Sequence, residues 1–245
     1  MRRVVLITGA ARRIGAEMAR TFHRAGFDVA IHCHHSTGDA NTLANALNVQ
    51  RSDSAAVFPA ALGETAAVRD LANGVMDWHG RVDVLVNSAS SFFPTPLDQA
   101  TEQHWNELID SNLKGAFFLC QSLAENLRKQ GGSIINIADI YARSPLAGYS
   151  IYCIAKAGNA MMTKALAKEL APRVRVNGIA PGVILWPNHD EQMSEAVKQQ
   201  VIQRVPLQQI GDPADIAAMA LFLATDVTYL TGQIIAVDGG SHLNH

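Results

Sequence analysis

Tyr152 and Lys156 lie four residues apart, and Asp139 stands thirteen residues before the tyrosine. Residues four apart share one face of an α-helix, so the spacing predicts a phenol and an ammonium group side by side. A free tyrosine titrates near about 10, and a neighbouring cation lowers that pKa by favouring the phenolate. Such a phenol can donate or accept a proton in a reaction. The three residues are therefore candidates for one proton-handling site.

Apolar runs alternate with amphipathic stretches along the chain, and they predict the elements that position these side chains. Continuous Val, Ile and Leu runs predict buried strands at 4–8, 29–33, 55–60, 82–87, 133–138, 174–179 and 233–237. Helices are expected at 13–25, 39–48, 64–78, 101–129 (one long or two abutting), 149–170, 191–204 and 213–224. This order is typical of a parallel sheet covered on both faces. We expect the α/β class: a single doubly wound Rossmann-fold domain over residues 1–245, with a seven-stranded parallel sheet.

The composition excludes several classes of protein. Hydrophobic residues make up 48% and charged residues 17% of the 245 residues, as in globular proteins with a large core. The net charge of −2 gives no indication of a nucleic-acid partner. No apolar run approaches the roughly 18 residues of a membrane span. Cys33, Cys120 and Cys153 have no metal or disulfide spacing. We expect a cytoplasmic protein with neither a membrane nor a nucleic-acid partner.

The sequence TGAARRIG at residues 8–15 joins the first predicted strand to the first helix. Glycines let the backbone approach a pyrophosphate, and a helix N-terminus offers unpaired N–H groups and a positive dipole. Arg13 stands where glycine is common and adds a guanidinium group for phosphate. The candidate cofactor contacts here are Gly9, Arg12, Arg13 and Ile14. The alternative is a plain glycine turn with solvated arginines.

The second predicted strand ends in His32 and Cys33 and is followed by His34, His35 and Ser36, with no carboxylate among them. Cofactor sites that prefer NADH usually place an acid here for the ribose 2′-hydroxyl. A hydroxyl and cationic imidazoles suit a 2′-phosphate, and Arg12 can reach the same pocket, so the pattern favours NADPH. Two alternatives stay open: a metal site on the histidines, and ordinary surface histidines. We expect no metal.

Five motifs at family spacing resemble the short-chain dehydrogenase/reductase family over residues 3–240. They are TGAARRIG, NSAS after the fourth strand, Tyr152-x-x-x-Lys156, RVNGIAPG and TGQIIAVDGG. Within that family HCHHSTGDANTLANALN, ASSFFPTPL, PGVILWP and Asp139 in place of the usual serine are similar to pteridine reductases. The resemblance implies an NADPH-dependent, homotetrameric reductase that converts dihydropterin or dihydrofolate to the tetrahydro form. Oxidised pterins are further candidate substrates.

The resemblance also assigns residues. The catalytic set is Asn112, Asp139, Tyr152 and Lys156. Further cofactor contacts fall on Asn87, Ser88, Ala89, Ser90, Tyr152, Lys156, Pro181, Gly182 and Ile184. Substrate contacts fall on Arg13, Ser90, Phe92, Asp139 and Tyr152, with Phe92 stacking the pterin against the nicotinamide. Leu185 and Trp186 either wall the substrate pocket or seal their loop against the core.

Three positions depart from the pteridine reductase pattern. His35 stands where arginine is common, Ala61 where an aspartate touches the adenine, and Ser88 where the usual NNAS has a second asparagine. All three concern the cofactor site rather than the chemistry.

Reduction of a ring C=N bond needs a hydride at carbon and a proton at nitrogen, and the cofactor supplies the hydride. We expect Tyr152 to donate the proton, Lys156 to lower its pKa, and Asp139 to assist. Asp139 as a turn cap and Phe92 as core filler are the structural alternatives. Two other functions compete: a carbonyl reductase of 3-oxoacyl groups, against which Asp139 and Phe92 speak, and a cofactor-binding sensor without turnover.

Overall fold

The computed structural model describes residues 2–186 and 194–244. Its centre is a seven-stranded sheet in the order β3-β2-β1-β4-β5-β6-β7, with every neighbouring pair parallel. The strands are β1 Val4–Ile7, β2 Asp28–Cys33, β3 Ala55–Pro59, β4 Val84–Asn87, β5 Ser133–Ile137, β6 Arg175–Pro181 and β7 Ile234–Val237. The predicted fold class is confirmed, and strand ends differ from the predicted ones by at most two residues.

Helices lie on both faces of the sheet. They are α1 Arg13–Arg24, α2 Thr37–Gln50, α3 Thr65–His79, α4 Glu102–Ile109, α5 Gly115–Gln130, α6 Ser150–Leu170, α7 Glu195–Gln203 and α8 Pro213–Thr225. The predicted helical stretch 101–129 is α4 and α5 joined by a π-helical segment, Asp110–Lys114. The start of the helix predicted at 191–204 falls partly on residues 191–193, which lie outside the described residues. Short 3-10 turns at Ile140–Ala142 and Ser241–Asn244 were not predicted.

Two apolar layers hold the sheet between the helices. All four residues of β1 are fully buried, which explains why the strands are continuous apolar runs rather than alternating ones. On one face Phe22 of α1 and Ile216 of α8 pack in the core. On the other face Leu71 of α3 and Leu119 of α5 do so. Within the described part of the chain, no helix is long and apolar enough to cross a bilayer.

The strand order reverses between β1 and β4, because β2 and β3 extend from one side of β1 and β4 to β7 from the other. In open parallel sheets, ligands bind beside the carboxyl ends of the strands at such a reversal. The loops after β1, β4 and β5 meet there, and they carry the glycine-rich motif, the NSAS motif and Asp139.

Candidate active site

The glycine-rich loop after β1 has the geometry of a phosphate cradle. Gly9 has φ +66°, and a Cβ added there would lie 2.9 Å from the Cα of Ala89 at the end of β4. A Cβ at Gly15 would lie 2.2 Å from the Gly9 carbonyl oxygen. Arg12, the N-cap of α1, makes no side-chain capping bond. The close backbone approach and the uncapped helix N-terminus fit a pyrophosphate.

Arg13 adopts φ 54°, in the left-handed region that glycine tolerates best. This conformation explains why glycine is the common residue at this position. The Arg13 guanidinium donates to the backbone oxygen of Trp186 at 2.8 Å and so ties the loop after β1 to the loop after β6. Ile14 packs its side chain against the core, leaving its backbone as the part that can meet a cofactor.

His32, near the end of β2, holds the glycine-rich loop in place through a hydrogen bond. Its Nδ1 accepts from the Gly9 N–H at 3.1 Å, and its Nε2–H donates to the Ala60 carbonyl at 3.1 Å. The ring is buried, and burial lowers the pKa of His32 to about 4. The imidazole is therefore neutral, with one nitrogen accepting and the other donating. These contacts of His32 were not predicted from the sequence, since an imidazole in a strand has many possible partners.

The two histidines after β2 lie against each other, and the pKa of one of them is shifted away from the cationic form expected there. His34 and His35 stack with ring centroids 3.6 Å apart, and burial and the neighbouring His35 lower the pKa of His34. Ser36 is the N-cap residue of α2 and makes no side-chain capping bond. Among the described residues no group of three or more His, Cys, Asp or Glu side chains could hold a metal ion.

A carboxylate does approach this end of the sheet, although the sequence around β2 suggested none. Asp39 lies in the first turn of α2, and its Oδ2 pairs with Arg12 at 2.6 Å from Nε and 2.5 Å from Nη2. Arg12 is thus at the predicted pocket, but it is paired within the protein. Asp39 was missed because it follows the end of the strand by six residues, on a helix.

Thr8 holds the end of β4 against the end of β1. Its hydroxyl accepts from the N–H groups of Ser88 and Ala89 at 2.9 and 3.0 Å, so those two predicted cofactor contacts have their donors engaged. Asn87 is buried, and its amide donates to Asn136 at 2.8 Å and to the Cys120 sulfur at 3.3 Å. The Asn87 side chain therefore braces the sheet.

Asp139, Tyr152 and Lys156 come together as predicted. The Tyr152 hydroxyl donates to Asp139 Oδ2 at 2.5 Å, and Asp139 Oδ1 accepts from the Tyr141 N–H at 2.9 Å. The Lys156 ammonium donates to the Ile137 carbonyl at 2.9 Å and lies 5.7 Å from the centre of the Tyr152 ring. Asp139 also caps the Ile140–Ala142 turn, so capping and the proton-handling contact are both present.

Burial dominates the electrostatics of this trio. It raises the pKa of Asp139, while Lys156, the Tyr152 hydroxyl and the Tyr141 N–H oppose that rise. Burial and then the Asp139 charge raise the pKa of Tyr152 well above its ordinary value. The expected lowering of the Tyr152 pKa by Lys156 is therefore wrong for this structure, because burial, and after it the Asp139 carboxyl, favours the neutral phenol. Burial lowers the pKa of Lys156 to about 8, and Asp139 opposes the fall.

Asn112 lies in the π-helical segment, buried behind the trio. Its Oδ1 accepts from the Ser90 hydroxyl at 2.7 Å, and its Nδ2 donates to the carbonyls of Ser91 and Leu108 at 3.0 and 2.9 Å. Its backbone oxygen accepts from Asn159 Nδ2 at 3.1 Å. π-Helical turns often occur at functional sites, where they re-aim a side chain or carbonyl.

Phe92 lies beside Tyr152 rather than in the core. Its ring is 39% exposed and meets the Tyr152 ring edge-on at a centroid distance of 4.8 Å. Tyr149 stacks on it at 4.7 Å with an interplanar angle of 15°. An exposed aromatic ring next to a proton donor can bind a flat heterocycle. Tyr149 was missed because the sequence offers no signal that pairs it with a distant loop.

Some residues of the loop after β6 pack in the core, and others lie near the candidate site. Pro181 ends β6, and a Cβ at Gly182 would lie 2.7 Å from the Asp238 Cβ, so the glycine permits close packing on β7. Ile184, a predicted cofactor contact, is buried, and Leu185 packs against the core, which fits the sealing alternative for Leu185. The backbone carbonyl of Trp186 accepts a hydrogen bond from Arg13, and the Lys198 ammonium lies 5.9 Å from the centre of the Trp186 ring.

Comparison with known proteins agrees with this arrangement. The family model described as enoyl-(acyl carrier protein) reductase matches residues 9–242. The chain belongs to the short-chain dehydrogenase/reductase family. It is therefore an oxidoreductase of the kind that uses a nicotinamide cofactor.

Three relatives of different activity have similar identity to the chain. Pteridine reductase 1 of Leishmania tarentolae is 35% identical, covering 98% of this chain and 96% of that protein. The 3-oxoacyl-(acyl-carrier-protein) reductase FabG of Staphylococcus epidermidis is also 35% identical, covering 99% and 100%. A 3beta-hydroxysteroid dehydrogenase 1 of Eggerthella lenta is 33% identical, covering 98% and 94%. Because these identities are so similar, overall sequence identity does not identify the substrate. The residues of the site must decide it.

Proposed function

We propose that this enzyme is an NADPH-dependent pteridine reductase, which reduces dihydropterin or dihydrofolate to the tetrahydro form. The observation that carries the proposal is the 2.5 Å hydrogen bond from Tyr152 to Asp139, beside the exposed ring of Phe92. A carboxyl group can accept from ring N–H or amino donors and can carry a proton itself. That chemistry suits a nitrogen heterocycle better than a simple ketone. Oxidised pterins are a second candidate class for the same pocket.

The bound nicotinamide supplies a hydride to the ring carbon. Tyr152 gives the phenolic proton to the adjacent ring nitrogen, and a proton from solvent then restores the phenol. The Asp139 carboxylate accepts the Tyr152 hydrogen bond and so orients the phenol. The ammonium of Lys156 stabilises the transient phenolate, since an opposite charge nearby favours the charged form. Asn112 fixes the Ser90 hydroxyl at the edge of the pocket. Phe92 offers a flat apolar face to the heterocycle.

For the cofactor, the open N-terminus of α1, the Gly9 loop and Arg12 support binding of pyrophosphate and a 2′-phosphate. Ser36 adds a hydroxyl at the same end of the sheet. The buried free thiols Cys33, Cys120 and Cys153 support a reducing compartment, in keeping with a cytoplasmic enzyme. We treat the whole chain as one catalytic domain.

A homotetramer is part of the proposal. Apolar side chains stay exposed on the two helices that flank the site, with Phe117 on α5 and Ile154 and Met161 on α6 between 41% and 62% exposed. Phe222 of α8 is 45% exposed near β7, the last strand of the sheet. Clustered exposed apolar residues support subunit contacts. Light scattering after size-exclusion chromatography measures the mass of the assembly.

The test compares NADPH oxidation with dihydrobiopterin or dihydrofolate and with an acetoacetyl thioester. We expect turnover with the pterins to exceed turnover with the thioester. Asp139→Ser should lower kcat for the pterin by about 10²-fold or more, the typical worth of a positioned acid–base group, while NADPH affinity stays unchanged. Asp226→Asn, which changes an exposed carboxylate outside the site, serves as the control. A thioester preference, or full pterin turnover in Asp139→Ser, would refute the proposal.

A further inference from the structure

Buried polar side chains behind the active site form a chain of hydrogen bonds that begins at the end of β4. Asn87 donates to Asn136 of β5 at 2.8 Å, and Asn136 donates to Thr163 of α6 at 2.8 Å. The Thr163 hydroxyl donates to the carbonyl of Asn159, one turn earlier in α6, at 3.0 Å. The Asn159 Nδ2 then donates to the backbone oxygen of Asn112 at 3.1 Å. None of these five residues is more than 4% exposed, so the bonds form away from water.

Asn112 connects this chain to the loop after β4, where the chain began. Its Oδ1 accepts from the Ser90 hydroxyl at 2.7 Å, and its Nδ2 donates to the Ser91 carbonyl at 3.0 Å. The loop continues to Phe92, whose ring centre lies 4.8 Å from that of Tyr152. The hydrogen bonds therefore join α6, which carries Tyr152, to the loop that is proposed to hold the substrate.

The side chain of Asn159 uses only one half of its amide within this network. Its Oδ1 is buried and has no hydrogen-bond partner among the described residues. A buried acceptor without a partner destabilises the folded state, because nothing replaces the water that it loses. The core-facing residues that follow on α6, Met162 and Leu166, are apolar. An apolar residue would avoid this cost at position 159, so the bond from Nδ2 to the Asn112 carbonyl is what explains an amide here.

The π-helical segment that carries Asn112 lies unusually close to α6. A Cβ added to Gly158 would lie 2.7 Å from Cδ2 of Leu113. This close approach lets the neighbouring Asn159 reach the Asn112 carbonyl. A π-helical turn inserts an extra residue into a helix and so changes the direction of the side chains that follow. A donor from α6 to the Asn112 carbonyl fixes the rotation of that turn and, with it, the direction of the Asn112 side chain.

We propose that Asn159 is a positioning residue for the reduction, which acts through Asn112 to hold Ser90 and the Phe92 loop against Tyr152. It touches neither the substrate nor the cofactor. The inference rests on the proposed function, because it concerns the reaction at that site. It adds a residue of α6 whose cost in stability is offset by the placement of the substrate loop.

The experiment compares wild type with Asn159→Leu, which keeps the size of the side chain and removes the donor. We expect kcat for dihydrobiopterin to fall by about 10- to 100-fold, the loss that a misplacement of about 1 Å causes. The KM for NADPH and the shape of the pH profile should stay as in wild type, because Asp139, Tyr152 and Lys156 are unchanged. The thermal midpoint should not fall, since the orphaned acceptor is gone. Asn159→Gln retains an amide donor and should recover part of the rate.

A second background tests whether the effect passes through Ser90. In Ser90→Ala the Asn112 side chain no longer has that hydroxyl to hold, so adding Asn159→Leu should cost less than about threefold in kcat, as expected for coupled sites. Amide hydrogen exchange of residues 110–116 should be faster in Asn159→Leu than in wild type, and this measurement needs no substrate.

Asn126→Leu is the matched control, because it also removes an amide that bonds to the backbone. Asn126 lies on α5, and its Oδ1 accepts from the Val82 N–H at 2.8 Å, before β4. This amide is structural, so the variant should lose thermal stability and keep the kcat of wild type per folded molecule. Exchange at residues 110–116 should not change in it.

Three results would overturn the inference. They are a wild-type kcat in Asn159→Leu, a lower thermal midpoint or failure of that variant to fold, and an equal loss of rate in the Ser90→Ala background. The first would show that the contact does not position the loop, the second that the amide is structural, and the third that it acts by another route. Faster exchange in Asn159→Leu, with no pterin reduction by wild type, would refute the proposed function but leave the hold of Asn159 on the π-helical segment in place.

Discussion

The two ends of the candidate site are built differently. At the chemical end, Tyr152 and Lys156 are buried, and the tyrosine holds Asp139 through a 2.5 Å hydrogen bond. At the other end, where the adenosine of the proposed cofactor would bind (the adenosine end), Arg12 before α1 and Asp39 in the first turn of α2 form an exposed pair. Burial fixes geometry and shifts pKa values, whereas exposure leaves charges screened and exchangeable.

This contrast separates what each end can control. The buried trio can set the rate of proton transfer, because its groups are desolvated and few arrangements fit them. The exposed pair can change the affinity for a charged ligand, but only by modest factors. Substitutions at the chemical end should therefore change kcat, and substitutions at the adenosine end should change cofactor affinity.

Removal of the phenol should have the largest effect. Tyr152→Phe keeps the ring beside Phe92 but deletes the proton donor and the bond to Asp139. We expect kcat to fall by about 10²- to 10⁴-fold, while NADPH affinity changes little. Steady-state kinetics and cofactor binding measure the two effects separately.

Tyr149→Phe is the control, because it preserves the ring that stacks on Phe92. It should retain most of the activity. If Tyr152→Phe kept substantial turnover, the proton would have to come from Asp139 or solvent, and the buried end would not control the rate.

His32 tests whether the adenosine end has a buried support of its own. His32→Leu leaves the Gly9 N–H and the Ala60 carbonyl without their partner. A stranded buried polar group costs about 1–3 kcal/mol, so the unfolding free energy should drop by that order and NADPH should bind about tenfold more weakly. Chemical denaturation and cofactor titration measure the two quantities.

A polar replacement separates hydrogen bonding from packing in this case. His32→Gln retains both a donor and an acceptor, and partial recovery of NADPH affinity is expected. A Leu variant with normal affinity would show that the loop holds its shape without the imidazole.

The pH response depends on the charge that Asp139 places near Lys156. Burial lowers the Lys156 pKa to about 8, and the carboxylate opposes that fall, so Asp139→Asn should lower the pKa further, by about one unit. Between pH values of about 8 and 10.5 the unfolded chain keeps the Lys156 proton that the folded chain has lost, so the contribution of Lys156 to stability rises with pH in that window. The window should open near pH 8 in wild type and lower in Asp139→Asn.

Thermal unfolding against pH measures this without requiring activity. Lys156→Met should lack the rise altogether, which assigns it to the lysine. An unmoved onset in Asp139→Asn would mean that the carboxyl is protonated near neutral pH and exerts no charge on Lys156.

The sequence predicted the fold and the chemical end better than the adenosine end, for a physical reason. Seven strands were predictable because double burial demands continuous apolar runs, and Tyr152 met Lys156 because helix geometry alone sets their distance. Asp139 lies beside these two residues because it follows β5 at the same edge of the sheet. These placements depend on local periodicity and on strand ends meeting at one edge of the sheet.

Asp39, Tyr149 and the roles of His32 depend instead on contacts between segments far apart in sequence. Arg12 and Asp39 are 27 positions apart, and His32 contacts backbone atoms on two other loops. The predicted direction of the Tyr152 pKa was also wrong, because the sequence did not reveal how deeply the phenol would be buried or that it would bond to Asp139. Such contacts depend on side-chain directions that the sequence pattern does not contain.

The response to salt concentration should be the smallest of the predicted effects, and it should differ between the two ends. The Debye length falls from about 10 Å at 0.1 M to about 3 Å at 1 M, and exposed charges are screened more than buried ones. Between low and high salt we expect the KM for NADPH to rise about two- to threefold while kcat stays constant. In Arg12→Gln the KM should respond less, because the exposed guanidinium is gone. A kcat that depends on salt, with a constant KM, would contradict this contrast between the ends. It would mean that the exposed, screened charges lie at the chemical end and the buried charges at the adenosine end.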